Sequence, residues 1–298
     1  MAKLLFYTDQ YTIPLPEGHR FPIQKYRLLR ELLTVDGLFR FEAAPLADRE
    51  VVELAHDPKY VEAFLNGTLS APAIRRIGFP WSQGLVKRTL ASVGGTLAAT
   101  EEALANRWGG NLAGGTHHAF RGEGSGFCVF NDIAVAIQWL RTTARVKRVA
   151  VIDLDVHQGD GTAQIFQDEP DVLTLSLHCE ANFPFRKQQS KIDIALPEGL
   201  TDEGYLRILD EVLFRVYEFH PEIVFYQSGV DVLRSDTLGK LWLSPEGVRK
   251  RDEGVILAAS EAGVPLVITL GGGYSRPIEL TAQAHAATYR TAAMILGD

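Results

Sequence analysis

Residues 148–161 read RVAVIDLDVHQGDG. Val149, Ala150, Val151 and Ile152 form an apolar run too short for a helix and without polar alternation, as expected of a strand buried on both faces. The run breaks at once into Asp153, Asp155, His157 and Asp160. Three other stretches share the design: NLAGGTHH at 111–118, VFYQSGVD at 224–231 and LVITLGGGY at 266–274. Strands are thus predicted over 4–8, 111–113, 148–154, 172–177, 222–226 and 266–270, and helices over 23–33, 85–105, 132–141, 202–219, 245–262 and 277–295. Leu206, Leu209, Leu213 and Val216 recur at helical spacing, and Ser244-Pro245 supplies an N-cap and a first-turn proline. Strand–helix alternation with buried strands indicates an α/β fold: an open, mostly parallel sheet sandwiched by helices. A closed barrel needs eight regular units. The first third, with an aperiodic loop over 9–21, does not supply them. No linker, repeat or low-complexity tract divides the chain, so one domain over 1–298 is expected.

Composition removes several functions. Hydrophobic residues make up 46% of the 298 and charged residues 22%, which supports a large core and excludes disorder. Thirty basic against thirty-seven acidic residues leave a net charge of −7, which argues against direct nucleic-acid binding. The two cysteines, Cys128 and Cys179, lie far apart, so neither a disulfide framework nor a cysteine zinc finger is expected. MAKLLFYTDQY is short and polar for a signal peptide, and no apolar run approaches ~20 residues. A soluble, cytoplasmic protein without membrane contact is the expectation. The clusters at 145–148 and 249–251 read as solvated helix ends.

In an open parallel sheet, ligand sites form outside the carboxyl ends of the strands. That rule carries His117, His118, Asp153, Asp155, His157, Asp160, Asp231 and Tyr274 to one edge. Alternate residues of extended chain share a face, so Asp155 and His157 are expected to point at one ion, with Asp153 further back. Asp231, from another strand end, completes a three-ligand set and leaves a position for water and substrate, as in a catalytic metal site. Two carboxylates and an imidazole suit Zn²⁺ and would also accept Fe²⁺ or Co²⁺. His117 and His118, expected to diverge in extended chain, can serve as base and acid, held by Asp153 and Asp160. Gly271-Gly272-Gly273 lets the backbone approach a ligand, and Tyr274 can donate to a polarised carbonyl. No G-x-G-x-x-G or G-K-[ST] phosphate loop accompanies it.

Taken in order, THH, GFCVFNDIA, DLDVHQGDG, QSGVD and GGGY resemble the zinc-dependent histone deacetylase family of the arginase/deacetylase superfamily, with LAHDPKYVEAFL a further match. GHRFPIQKYRLL and SLHCEANFPFRKQQS are similar to its bacterial and class IV-like branch. The resemblance implies zinc on Asp155, His157 and Asp231, with His118 as general base and acid, His117 as electrostatic helper and Tyr274 as the transition-state tyrosine. Asp153 and Asp160 would orient the histidines. It also implies structural potassium, held by the Asp153 side chain, backbone oxygens of Asp155, His157 and Leu177, and the Ser176 hydroxyl. A second potassium would sit near Phe166 and Val172. Gly126 and Phe127 match one wall of an acyl-lysine tunnel, Gly272 and Gly273 border it, and either Phe183 or Phe185 serves as the opposite wall. The implied substrate is an acylated lysine of a peptide or protein. An acetylpolyamine or similar small amide, and a non-catalytic acyl-lysine binder, are the alternatives. Two-manganese ureohydrolase chemistry is disfavoured. Position 159 is Gly, and Asp231 is followed by Val232-Leu233, so one divalent ion is all the set can hold.

Overall fold

The structure, a computed structural model, describes residues 2–297. Eight strands form one sheet: β1 (Lys3–Tyr7), β2 (Phe39–Ala43), β3 (Trp108–Asn111), β4 (Val149–Asp153), β5 (Val172–Cys179), β6 (Ile192–Leu196), β7 (Ile223–Gln227) and β8 (Leu266–Thr269). Their order is β2-β1-β3-β8-β7-β4-β5-β6, and every pairing is parallel. The sheet is open, as the alternation requires. The four strands that run into polar sequence, β3, β8, β7 and β4, are neighbours at its centre.

Among the described residues, ten helices accompany the strands: α1 (Lys25–Val35), α2 (Arg49–Val52), α3 (Pro58–Leu65), α4 (Ala71–Ile77), α5 (Gln83–Asn106), α6 (Asp132–Thr142), α7 (Asp160–Ile165), α8 (Asp202–Glu218), α9 (Pro245–Ala262) and α10 (Glu279–Ile295). Adjacent strand residues show that both faces are covered. A Cβ on Gly109 would strike the Ala99 carbonyl of α5, whereas one on Gly110 would meet Tyr289 of α10. The predicted caps hold locally: Ser244 Oγ accepts from Gly247 N at 3.0 Å, with Pro245 opening α9. β4, β5, β7 and β8 are buried along their whole length; β4, β7 and β8 read as apolar runs, whereas β5 buries Thr174, Ser176 and His178 among its apolar residues.

Some expectations need correction. The first third is more regular than its sequence reads, since β2 and α2 to α4 fall there; residues 8–24 are its longest stretch without helix or strand. β2 and β6 are edge strands with mixed burial, which blurs the apolar signal. β3 precedes the predicted 111–113 because Gly109 and Gly110 sit in it, too small to read as strand yet required by the close helix packing. Arg251 is no solvated helix end. It is fully buried, pairs with Asp252 at 2.8 Å and donates to the Gly229 carbonyl at 2.6 Å. Arg145, by contrast, pairs at the surface with Glu101.

Candidate active site

The loops after β3, β4, β7 and β8 converge at the carboxyl edge of the sheet. Beyond Asp153 the chain leaves the strand and bends. Asp153 Oδ1 accepts from Asp155 N at 3.2 Å, and Asp155 Oδ1 accepts from His157 N at 3.0 Å. Successive bends, not strand alternation, therefore bring Asp155 and His157 together. Asp231 lies four residues past the end of β7 and is held by Val156 N at 2.9 Å. The nearest donor atoms of Asp155, His157 and Asp231 lie within 4.8 Å of one another. His157 Nδ1 is 2.9 Å from Asp155 Oδ1 and 3.1 Å from Asp231 Oδ2. Both carboxylates are buried. Burial first, and then the Asp155 charge, push the Asp231 carboxyl up to about 7. Two buried carboxylates converging on one imidazole fit a divalent cation, which would pair with both.

Glycines make the approach possible. A Cβ on Gly272 would collide with the Asp231 carboxylate, and Gly272 N donates to Asp155 Oδ2 at 2.7 Å. A Cβ on Gly159 would collide with Asp153 Oδ2, so no third carboxylate has room there.

His117 and His118 occupy a turn rather than extended chain, with Ala119 N donating to Thr116 O at 3.4 Å. Their rings therefore lie side by side, centroids 4.1 Å apart, instead of diverging. His117 Nδ1 donates to Asp153 Oδ2 at 2.7 Å, and His118 Nδ1 donates to Asp160 Oδ1 at 2.6 Å. Each imidazole thus keeps Nε2 free of its carboxylate. Their acidities are driven apart. Burial works against a charged His117, but Asp153 and Asp155 outweigh it and raise the group to about 9. His118, disfavoured as a cation by burial and then by charged His117, falls to about 4. Neighbouring groups with opposed acidities mark separate acid–base roles.

Tyr274 follows the glycine loop, its N–H donating to Asp236 Oδ2 at 2.6 Å. Burial, followed by the Asp231 and Asp155 charges, holds its phenol well above the usual range, so the hydroxyl stays a donor. Ser176 is the register partner of Asp153, and its hydroxyl lies 3.0 Å from His178 Nδ1; Leu177 follows it on β5. Phe166 and Val172 are buried at the end of α7 and the start of β5.

A cavity of about 480 Å³ opens onto these groups. Gly126, Phe127, Phe183, Gly272 and Tyr274 line it. Gly126 and Phe127 both have positive φ, and a Cβ on Gly126 would press on His118 at 2.8 Å, so glycine is needed there. Phe183 stands edge-on to His118 at 5.0 Å, while Phe185 is 91% exposed. Both line the cavity, and Phe183 is the one packed against the histidines. Gly273 is buried behind the loop against Thr281 and His285.

Sequence reasoning missed several supporting residues. Asp132, at the start of α6, accepts from Gly115 N at 3.1 Å, Thr116 N at 2.8 Å and Thr96 Oγ1 at 2.5 Å, fixing the turn before the histidines. Gln227 Nε2 donates to Asp155 Oδ2 at 3.1 Å. Both residues stood inside conspicuous motifs, FND and QSGVD, which were the available signal. Asp132→Ala should destabilise the fold by about 1.5–3 kcal/mol, the range for a lost hydrogen bond to a charged group. A urea midpoint unchanged from the parent protein would show that the turn holds without it.

Comparison with known proteins gives a consistent result. The histone deacetylase domain model matches residues 19–292. An uncharacterized protein of Picosynechococcus sp. is 47% identical over 98% of this chain and 99% of its own length. Histone deacetylase 2 of Arabidopsis thaliana is 33% identical, covering 91% of this chain and 74% of its own. The crystal structure of an HDAC homolog complexed with SAHA superposes with a TM-score of 0.80 at 27% identity, over 99% of this chain and 88% of that one.

Proposed function

This chain belongs to the histone deacetylase family, and we propose that it hydrolyses the amide of an acylated lysine side chain in a peptide or protein. One observation carries the reading. His118 backed by Asp160 lies beside His117 backed by Asp153 and the Asp155–His157–Asp231 cluster, at a cavity walled by Phe127, Phe183 and Tyr274. A single divalent ion held by Asp155, His157 and Asp231, for which zinc suits the donor set, would supply Lewis acidity to the carbonyl and acidify the attacking water.

The protein's own groups do the rest. The lysine stem lies between the Phe127 and Phe183 rings, with Gly126 and Gly272 admitting it closely. His118 Nε2 takes a proton from the water as it attacks, Nδ1 remaining on Asp160. His117, positive beside Asp153, stabilises the negative charge that develops, and the Tyr274 phenol donates to the carbonyl oxygen. His118 then returns the proton to the amine as the C–N bond breaks. A potassium ion at Asp153, Ser176 and the backbone oxygens of Asp155, His157 and Leu177 would stiffen the floor; Phe166 and Val172 mark a second such position. We infer one domain over 1–298 and a cytoplasmic enzyme, in keeping with the lack of a membrane-crossing helix among the described residues.

The cavity wall argues against an acetylpolyamine. Its cations include Arg20 and Lys240, and its only acids are Asp155 and Asp231, which the ion would occupy. Further ammonium groups on a substrate would meet like charge. Hydrolysis assays on acetyl-lysine peptides, long-chain acyl peptides and acetylated polyamines test the reading. Peptides should be cleaved and polyamines spared; a preference for polyamines would reverse the assignment.

Tyr274→Phe probes the oxyanion donor. The ring and its packing remain, so folding and metal content should survive. The phenol binds the developing oxyanion more strongly than the neutral carbonyl, so kcat should fall more than KM rises. Loss of such a donor costs about 10²–10³-fold. Near-normal kcat would mean that Tyr274 only packs.

A further inference from the structure

On α5, Leu85, Arg88, Thr89 and Ser92 fall at helical spacing and all line the cavity. Arg88 is anomalous among them. It is only 8% exposed, yet among the described residues its guanidinium has no hydrogen-bond or ion-pair partner, and its Nη1 is fully buried. It rests instead over the rings of Tyr26 at 4.3 Å and Phe21 at 5.6 Å. A second buried cation shares these rings: Lys25 Nζ lies 5.3 Å from Tyr26 and 6.0 Å from Phe21. Its hydrogen bond goes to the neutral Gly271 carbonyl at 3.0 Å, not to a carboxylate.

Buried charges are ordinarily paired, because desolvating an isolated one is costly. Cation–π contact compensates in part, by roughly 2 kcal/mol or more when desolvated. Around this end of the cavity, the acids are engaged elsewhere: Asp155 and Asp231 on His157, Asp132 on the turn at 115–116. Among the described residues, no carboxylate of the wall therefore partners Arg88 or Lys25. The cavity also has a direction. Exposed Phe185, Arg20 and Lys240 mark its outer end, and buried Leu85, Arg88 and Phe130 its inner end. A lysine entering from outside places its acyl group, beyond the scissile bond, toward Arg88.

We propose that Arg88 binds a carboxylate at the far end of the acyl group, making ω-carboxyacyl-lysine (malonyl-, succinyl- or glutaryl-lysine) a substrate class of this site. The inference rests on the deacylase reading above and specifies its acyl group. Water adds across the amide, the C–N bond breaks, and the products are the lysine ammonium and a dicarboxylate; no other reactant is needed.

The test compares kcat/KM on one peptide carrying acetyl-, malonyl-, succinyl- or glutaryl-lysine, using the metal-loaded enzyme. At least one carboxyacyl peptide should be cleaved no more slowly than the acetyl peptide. Arg88→Met should lower the carboxyacyl-to-acetyl ratio by about 10- to 150-fold, the equivalent of a lost hydrogen bond between charged groups. Arg88→Lys, which keeps a point charge, should fall between. Calorimetry of N-methylsuccinamate against N-methylbutyramide on metal-free protein gives a readout without turnover: only the former should bind more weakly to Arg88→Met. If acetyl-lysine is cleaved and no carboxyacyl peptide is, or the ratio is unmoved in Arg88→Met, the carboxylate site is wrong and the deacylase reading stands. If no peptide is cleaved, the deacylase reading itself falls.

Discussion

Asp231→Ala should yield folded protein that has lost its tightly bound divalent ion and its hydrolytic activity together. Elemental analysis of the parent protein should find about one transition-metal ion per chain, and the variant close to none. The reason is the shape of the donor set. Asp155 and Asp231 reach His157 from two different loops, so removing either leaves one carboxylate and one imidazole, too few to hold the ion in an open site. Of the two, Asp231 is the cleaner test. Its carboxylate accepts from Val156 N alone among backbone donors, whereas Asp155 also accepts from His157 N and Gly272 N. Losing a supporting partner of a metal ligand costs roughly 10–100-fold in affinity or activity; losing the ligand should exceed that. Thermal melting checks that the fold survives. Two manganese ions per parent chain, or undiminished metal in Asp231→Ala, would refute the single-ion site. The first result is already opposed by Gly159, where a further carboxylate would collide with Asp153.

The sheet's centre was legible because β4, β7 and β8, buried on both faces, are mostly apolar, and the polar residues that follow mark where these strands end. Hence VAVID, VFYQ and LVIT located β4, β7 and β8 to within a residue or so. Trp108–Asn111 escaped because its glycines answer to helices packed on either face, a constraint that no local window contains. Residue identity was also easier to read than geometry. His117 and His118 are plain in the sequence, but whether they diverge depends on a turn that Asp132 fixes from sixteen residues away. Arg251 shows the same limit: flanked by charged residues, it reads as solvated, and its pairing with Asp252 and with the Gly229 and Leu154 carbonyls explains its burial. Arg88, on an otherwise ordinary helix face, gave no sequence signal at all.

That turn underlies the second large effect. His118→Ala should lose about 10²–10⁴-fold in rate while metal content and melting temperature stay close to those of the parent protein. With the rings side by side, divergence no longer decides which histidine moves the proton; their charge states do. A base at neutral pH must be unprotonated and have a lone pair aimed at water. His118, driven down to about 4 and bonded through Nδ1 to Asp160, keeps its lone pair at Nε2. His117, raised to about 9 beside Asp153 and Asp155, is already charged and has no lone pair to offer. It can stabilise negative charge but cannot start the reaction. His117→Ala should therefore cost less than His118→Ala, and it should remove the like charge beside His118, raising the acidic limb of the pH–rate profile while burial still holds it below the ordinary imidazole range. Steady-state kinetics on both variants across pH 5–9 decide the matter. If His117→Ala is the more damaging of the two, the roles are exchanged. If neither loses more than a few-fold, the base is neither imidazole, and the proton must leave through another group on the cavity wall.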